Sequence, residues 1–181
     1  MAYINVPEGV PGIRSLVLFR PETGKPLYQL AQVLLREDSP LTPAERELIA
    51  AHVSSRNNCR FCMESHAAAA RCLYGTDKQI VDDVLNAPSR ADLSPKMRAL
   101  LHIAGKVQLS GKQVTPEDIA AAREQGASDR EIHDTVLIAA AFCMFNRYVD
   151  GLASWTPTDP AVYEEMGLRM AKGYVLPKQT T

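Results

Sequence analysis

From Pro26 onward, apolar residues return at intervals of three and four. Leu27, Leu30, Ala31, Leu34 and Leu35 mark one face of a helix that Asp38-Ser39-Pro40 closes. Thr42-Pro43-Ala44-Glu45 then opens a second helix. Thr42 can cap free backbone N–H groups, Pro43 lacks the N–H that has no partner at the first helical position, and Glu45 completes a capping box. This helix is expected to run to about Ser55, burying Leu48, Ile49, His52 and Val53, until Asn57-Asn58 interrupts it. The next starts near Asn58, carries Cys59 through Leu73 and stops at Gly75. Leu93-Ser94-Pro95 opens a helix through about Leu109, and Thr115-Pro116-Glu117 opens one that ends at Gly126. Ser128-Asp129-Arg130-Glu131 is a second capping box, leading into a long helix from Glu131 to about Ala153.

The two ends of the chain read differently. Residues 1–27 hold Pro7, Gly9, Pro11, Gly12, Pro21, Gly24 and Pro26, so they are expected to form an irregular arm with one short strand or helical turn at Arg14–Phe19. The stretch from Trp155 to Thr181 should carry a short helix near Ala161–Met170 and wrap the body of the protein or a neighbour. No segment alternates with a period of two for long enough to form a sheet. The expected architecture is all-α, with a single helical domain over 28–181 behind the arm. The likeness of Leu41-Thr42-Pro43 to Leu93-Ser94-Pro95 could record an old duplication, or only the shared chemistry of capped helices.

Composition narrows the function. With 46% hydrophobic and 23% charged residues in 181, the chain has the makeup of a soluble globular domain. A net charge of -1 leaves no basic excess for a nucleic-acid partner. No apolar run approaches the roughly 18 residues of a membrane span, and the first residues lack the basic and apolar segments of an export signal. A cytoplasmic protein is expected. In a reducing compartment, closely spaced cysteines point to metal binding or redox chemistry rather than to structural disulfides. Of Cys59, Cys62, Cys72 and Cys143, only the first two are close; Cys72 and Cys143 read as small buried apolar residues.

On a helix, Cys59 and Cys62 lie one turn apart, with Cα atoms about 5 Å from each other, within reach of a disulfide. His66, four residues past Cys62, lies over the same face. An unassisted thiol is only a few per cent ionised at neutral pH, so an adjacent base supplies the nucleophile, and a second thiol can trap the oxidised sulfur. A carboxylate behind the imidazole would fix its tautomer; Glu47 on the preceding helix is the candidate. The helix terminus favours Cys59 as the more acidic thiol, whereas the base favours Cys62. Contact with a base outweighs a terminal dipole worth about 0.3–1 kcal/mol, so Cys62 is preferred. Zinc would need a fourth ligand beside Cys59, Cys62 and His66, and Cys72 lies about 20 Å along the helix from Cys59. Neither a metal nor an organic cofactor is expected.

Glu47, Cys59, Cys62 and His66 have the Glu-x11-Cys-x2-Cys-x3-His spacing of the alkylhydroperoxidase D-like, or carboxymuconolactone decarboxylase, superfamily, and the chain resembles it over most of its length. Glu45 to Ala51, Phe19 to Pro26 and Phe142 to Arg147 resemble its peroxidase-related branch. The resemblance implies an AhpD-like helical bundle that forms homo-oligomers, trimers or hexamers. It also implies a thiol peroxidase: Glu47, His66 and a water deprotonate Cys62, a hydroperoxide oxidises it, Cys59 resolves it to a disulfide, and a thiol or dithiol reductant restores the pair. Alkylhydroperoxidase D proper carries a histidine where this chain has Phe61, so its longer proton relay is incomplete here. Two alternatives stand beside this reading, a carboxymuconolactone-decarboxylase-like lyase and a non-enzymatic redox sensor. Arg147 reads as a structural or subunit contact.

Overall fold

The computed structural model describes residues 2–87, 89 and 91–175. They form nine α-helices and no strand: α1 Ile13–Phe19, α2 Pro21–Arg36, α3 Pro43–Arg56, α4 Arg60–Tyr74, α5 Gln79–Asn86, α6 Pro95–Leu109, α7 Pro116–Glu124, α8 Asp129–Gly151 and α9 Pro160–Ala171. The all-α architecture is thus the one expected from the periodicity.

Helix α3 is the axis of the bundle. It packs against α4, α6 and α8, with α2 and α5 at its flanks. Leu48, Ile49, Ala50, Ala51, Val53 and Ser54 are all fully buried, so apolar burial runs almost around the helix. Leu35, Leu41, Leu100, Ile103 and Ile138 close the core around it, each fully buried aliphatic side chain contributing about 1.5–3 kcal/mol. Its start is built as the sequence implies. The Thr42 hydroxyl accepts from the Glu45 N–H, and the Glu45 carboxylate accepts from the Thr42 N–H at 2.8 Å. Ser128 and Glu131 do the same for α8. Thr115 and Asp118 form a third box on α7, where aspartate takes the place usually held by a longer acid.

In the N-terminal segment the helical turn expected at Arg14–Phe19 is present as α1, but the rest is less irregular than expected. It is irregular only before Ile13; α1 and the first turns of α2 occupy 13–27. Pro21 sits in the first turn of α2 and starts the helix, while Pro26 is accommodated inside it. Gly24 does not break α2 but lets α1 cross it: a β-carbon there would lie 2.6 Å from the Val17 carbonyl oxygen. The residues before α1 are tied to the loop after α8, by Tyr3 N–H to the Leu152 carbonyl and Gly12 N–H to the Trp155 carbonyl. The helix α5, which places Val81 and Val84 in the core, was not anticipated.

Helix α9 lies along α4. The contact is close because Gly167 faces Ala68, where a β-carbon would come within 2.7 Å of the Ala68 carbonyl carbon. Small residues at a crossing let two helix backbones approach, and the Ala67–Ala70 run supplies the other half of that contact. This crossing carries the residues after α9 onto the site described next. Neither Cys72 nor Cys143 is the buried apolar residue expected: Cys72 is exposed and Cys143 half-buried. Residues 71–74, the last turn of α4, all lie outside the buried core, which explains Cys72. The Cys143 thiol faces the Gln108 carbonyl oxygen at 3.8 Å. His52 is half-buried beside Arg56 rather than in the core, and Arg147 is exposed, donating to the Cys143 carbonyl of its own helix.

Candidate active site

Glu47 projects from α3 into the interior and is 0% exposed. A buried carboxylate without partners costs several kcal/mol. This one has three. Arg36, from the last turn of α2, places Nη2 2.5 Å from Oε1. His66 Nδ1, from α4, lies 2.6 Å from Oε2. The Tyr174 hydroxyl, just beyond α9, donates to Oε1 at 2.6 Å. Burial alone pushes the Glu47 carboxyl up, but the imidazole, the guanidinium and the phenol outweigh it and hold it below the ordinary glutamate value. Glu47 is therefore a carboxylate at neutral pH.

That charge orients the imidazole. An ionised carboxylate can only accept, so the Nδ1 of His66 carries a proton, and in the neutral imidazole it is Nε2 that holds the lone pair. The ring is further held by the edge of Phe142, with centroids 4.5 Å apart, and by the face of Tyr174, stacked at 6.2 Å and 14°. Tyr174 is itself clamped. The Arg36 guanidinium lies 5.1 Å from its ring centroid, and burial together with the neighbouring Glu47 raises its phenol well above the ordinary tyrosine value. It remains a donor. Arg36 also gives Nη2 to the Met170 carbonyl at 2.7 Å, which ties α2 to the end of α9.

Cys59 is the N-cap residue of α4 and Cys62 lies in its first turn; both are free thiols and both are buried. Their surroundings differ. Cys62 lines a cavity of about 130 Å³ together with Ser65 and His66 of α4, a volume close to that of cavities that admit a benzene-sized molecule (~150 Å³). Cys59 is 0% exposed, forms no part of the cavity wall, and packs in a small apolar cluster with Val149 and Tyr163. Its interaction with the Cys62 thiol, and then its burial, push the Cys59 thiol far above the ordinary range. The terminus of α4 does not make Cys59 the acidic member of the pair: its sulfur accepts no capping hydrogen bond, and a sulfur removed from water holds its proton.

All four residues predicted from spacing thus belong to two adjoining units, a carboxylate–imidazole pair and a dithiol pair, which meet where Cys62 and His66 share a wall. Phe61 is buried, with its ring over Gly12 (φ 55°), where a β-carbon would lie 2.0 Å away. The positive φ and the crowded ring both require glycine at that position. Arg36 and Tyr174 escaped the sequence reading. Arg36 sits at an ordinary helix end, and Tyr174 lies 127 residues from Glu47, so no local pattern links them. Among the described residues, no cluster of three or more His, Cys, Asp or Glu side chains could hold a metal ion, and no helix is long and apolar enough to cross a membrane.

The sequence profile of the carboxymuconolactone decarboxylase family matches residues 21–106, the stretch that contains Glu47, both paired cysteines and His66. Uncharacterized protein YdfG of Bacillus subtilis (strain 168) is 28% identical over 112 residues, covering 61% of this chain and 75% of that protein. Two solved structures superpose with a TM-score of 0.77. One is an uncharacterized peroxidase-related protein from Ralstonia eutropha JMP134, described as an alkylhydroperoxidase AhpD core, at 28% identity over 87% of this chain and 81% of that one. The other is an uncharacterized peroxidase-related protein from Silicibacter sp. TM1040, at 29% identity over 86% of this chain and 79% of that one. In its helical fold and its Glu-x11-Cys-x2-Cys-x3-His site, the chain is similar to proteins of the AhpD-like, carboxymuconolactone decarboxylase superfamily, whose sequence profile it matches over residues 21–106.

Proposed function

We propose that this protein is a thiol-dependent peroxidase that reduces hydroperoxides through a dithiol–disulfide cycle of Cys62 and Cys59. The observation that carries the reading is the placement of Cys62 and His66 on one cavity wall, with Glu47 behind the imidazole and Cys59 behind the thiol. The His66 Nε2 lone pair takes the Cys62 proton, directly or through a water, and Glu47 stabilises the imidazolium that forms. The thiolate attacks the terminal peroxide oxygen and the O–O bond breaks. The sulfur becomes sulfenic acid, while the departing alkoxide takes a proton from the imidazolium and leaves as alcohol. Cys59 then attacks the Cys62 sulfur; an S–S bond forms and the hydroxyl leaves as water with the Cys59 proton. A dithiol reductant returns two electrons by thiol–disulfide exchange.

The retained proton on Cys59 suits this order, since the resolving sulfur must not compete as a nucleophile before Cys62 is oxidised. In keeping with the resemblance, the working form is a homo-oligomer, a trimer or hexamer, which native mass spectrometry measures. The test of the function is peroxide consumption with a dithiol reductant by wild type and Cys62→Ser. Turnover in the wild type that vanishes in the variant supports the proposal, and equal rates defeat it. Oxidation that changes oligomer size with no turnover would make the pair a sensor, and lactone decarboxylation that survives loss of both cysteines would make the protein a lyase.

A further inference from the structure

The cavity beside Cys62 has chemistry that the peroxidase cycle does not use. Arg14 from α1, Tyr28 from α2 and Arg169 from α9 all line it, three polar heads brought together from three helices. Neither guanidinium makes a hydrogen bond or a close ion pair with a described residue, unlike Arg36, Arg71 and Arg123, each of which holds a carboxylate. Among the described residues, no Asp or Glu lines the cavity. The two cations sense each other: burial and then the like charge of Arg14 lower the Arg169 guanidinium, which Tyr28 and Glu165 only partly offset. The Tyr28 phenol is raised by burial against the opposing pull of both arginines. Beside Ser65, His66 and Tyr174 the wall is mainly apolar, with Leu27, Ala31, Phe145, Met166 and Met170 in it. Arg14 is half-buried and Arg169 exposed, so both heads stay partly solvated. Two like charges lining one cavity still repel each other, and an anion between them offsets that cost while gaining charge-assisted, bidentate hydrogen bonds. Mostly apolar pockets with a few convergent polar groups are the usual form of a small-molecule site.

We infer that this cavity receives a hydroperoxide bearing a carboxylate, its acid group held by Arg14 and Arg169, its short apolar body along α2 and α9, and its peroxide at Cys62. The inference rests on the peroxidase reading and names its substrate class. The carboxylate is a spectator, so the redox step is the one already written.

The test uses the reduced full-length protein in single turnover, with no reductant present, so that a carboxylate on the reductant cannot mimic the effect. The rate of Cys62 oxidation is measured with a carboxylate-bearing alkyl hydroperoxide and with its methyl ester. The acid should react faster by about tenfold, the loss expected when one partly solvated charge-assisted contact is removed. That ratio should fall toward one in Arg14→Gln and Arg169→Gln, recover in Arg169→Lys, and shrink in the wild type as salt rises. An acid no faster than its ester would overturn the inference and leave the peroxidase reading intact. If neither peroxide oxidises Cys62, the peroxidase reading falls, and alkylation of Cys62 decides the acid site alone. Protection by hexanoate but not by hexanol would uphold it, and equal effects of the two would end it.

Discussion

Substituting Glu47→Gln keeps the shape of the side chain and removes its charge. Three partners feel the loss at once: Arg36, His66 and Tyr174. Breaking a buried ion pair by deleting one charge costs about 3–5 kcal/mol. Arg36 keeps its bonds to the Met170 and Leu35 carbonyls, and the amide oxygen still accepts, so the lower end, about 3 kcal/mol, is expected. The chemistry suffers separately, because an amide no longer fixes the proton on His66 Nδ1. General-base assistance is worth about 100-fold or more and a misoriented imidazole loses much of it, so alkylation of Cys62 at pH 7 should slow by at least about tenfold. Alkylation of Cys62 by iodoacetamide across pH, followed by peptide mass, reads the thiolate directly, and urea unfolding reads stability. Acid adds a signed check. Because the folded carboxyl lies below its unfolded value of 4.5, its contribution is present above pH 4.5 and is lost as pH falls through the lower folded value. Wild type should therefore lose stability there more steeply than Glu47→Gln. Equal alkylation rates at pH 7, with matching unfolding midpoints, would refute the coupling of Glu47 to the site.

His52 is lowered from 6.5 to about 4 by burial and then by Arg56, so the fold prefers it neutral; its contribution is complete above pH 6.5 and is lost between there and pH 4, and urea midpoints of His52→Gln should be flatter over that window. Gly167→Ala gains about 1 kcal/mol of helix propensity but drives a methyl into the Ala68 carbonyl. Overpacking of about 1–3 kcal/mol should win, lowering the thermal midpoint, and peroxidase rate should fall with it because α9 delivers Tyr174 to Glu47. In Cys59→Ser, one equivalent of peroxide should leave Cys62 as a dimedone-trappable sulfenic acid with no intramolecular disulfide, as seen by intact mass; recovery of the same disulfide yield as wild type would require another resolving thiol.

The parts of this protein legible in the sequence are those set by neighbours along the chain. Capping boxes at Thr42 and Ser128 act over three residues, and the apolar stripe of α2 follows the helical period, so both could be read directly. The Cys59–Cys62–His66 spacing is of the same local kind, and with Glu47 it was enough to propose the site. Where proline and glycine served packing instead of interrupting helices, as Pro26 and Gly24 do in α2, local reading misjudged the N-terminal segment.

Tertiary structure decided what depends on residues distant in sequence. It brought Arg36 and Tyr174 to Glu47, which keeps a buried carboxylate ionised and assigns the imidazole its tautomer. It also separated two cysteines that spacing treats alike: both pack in one apolar cluster, but Cys62 reaches the cavity wall and Cys59 does not. The chain dictates that two sulfurs lie a helical turn apart, because that is local geometry. Which sulfur meets the cavity depends on how α9 and the N-terminal helices pack over α4, and burial and charge pairing act through space rather than along the backbone.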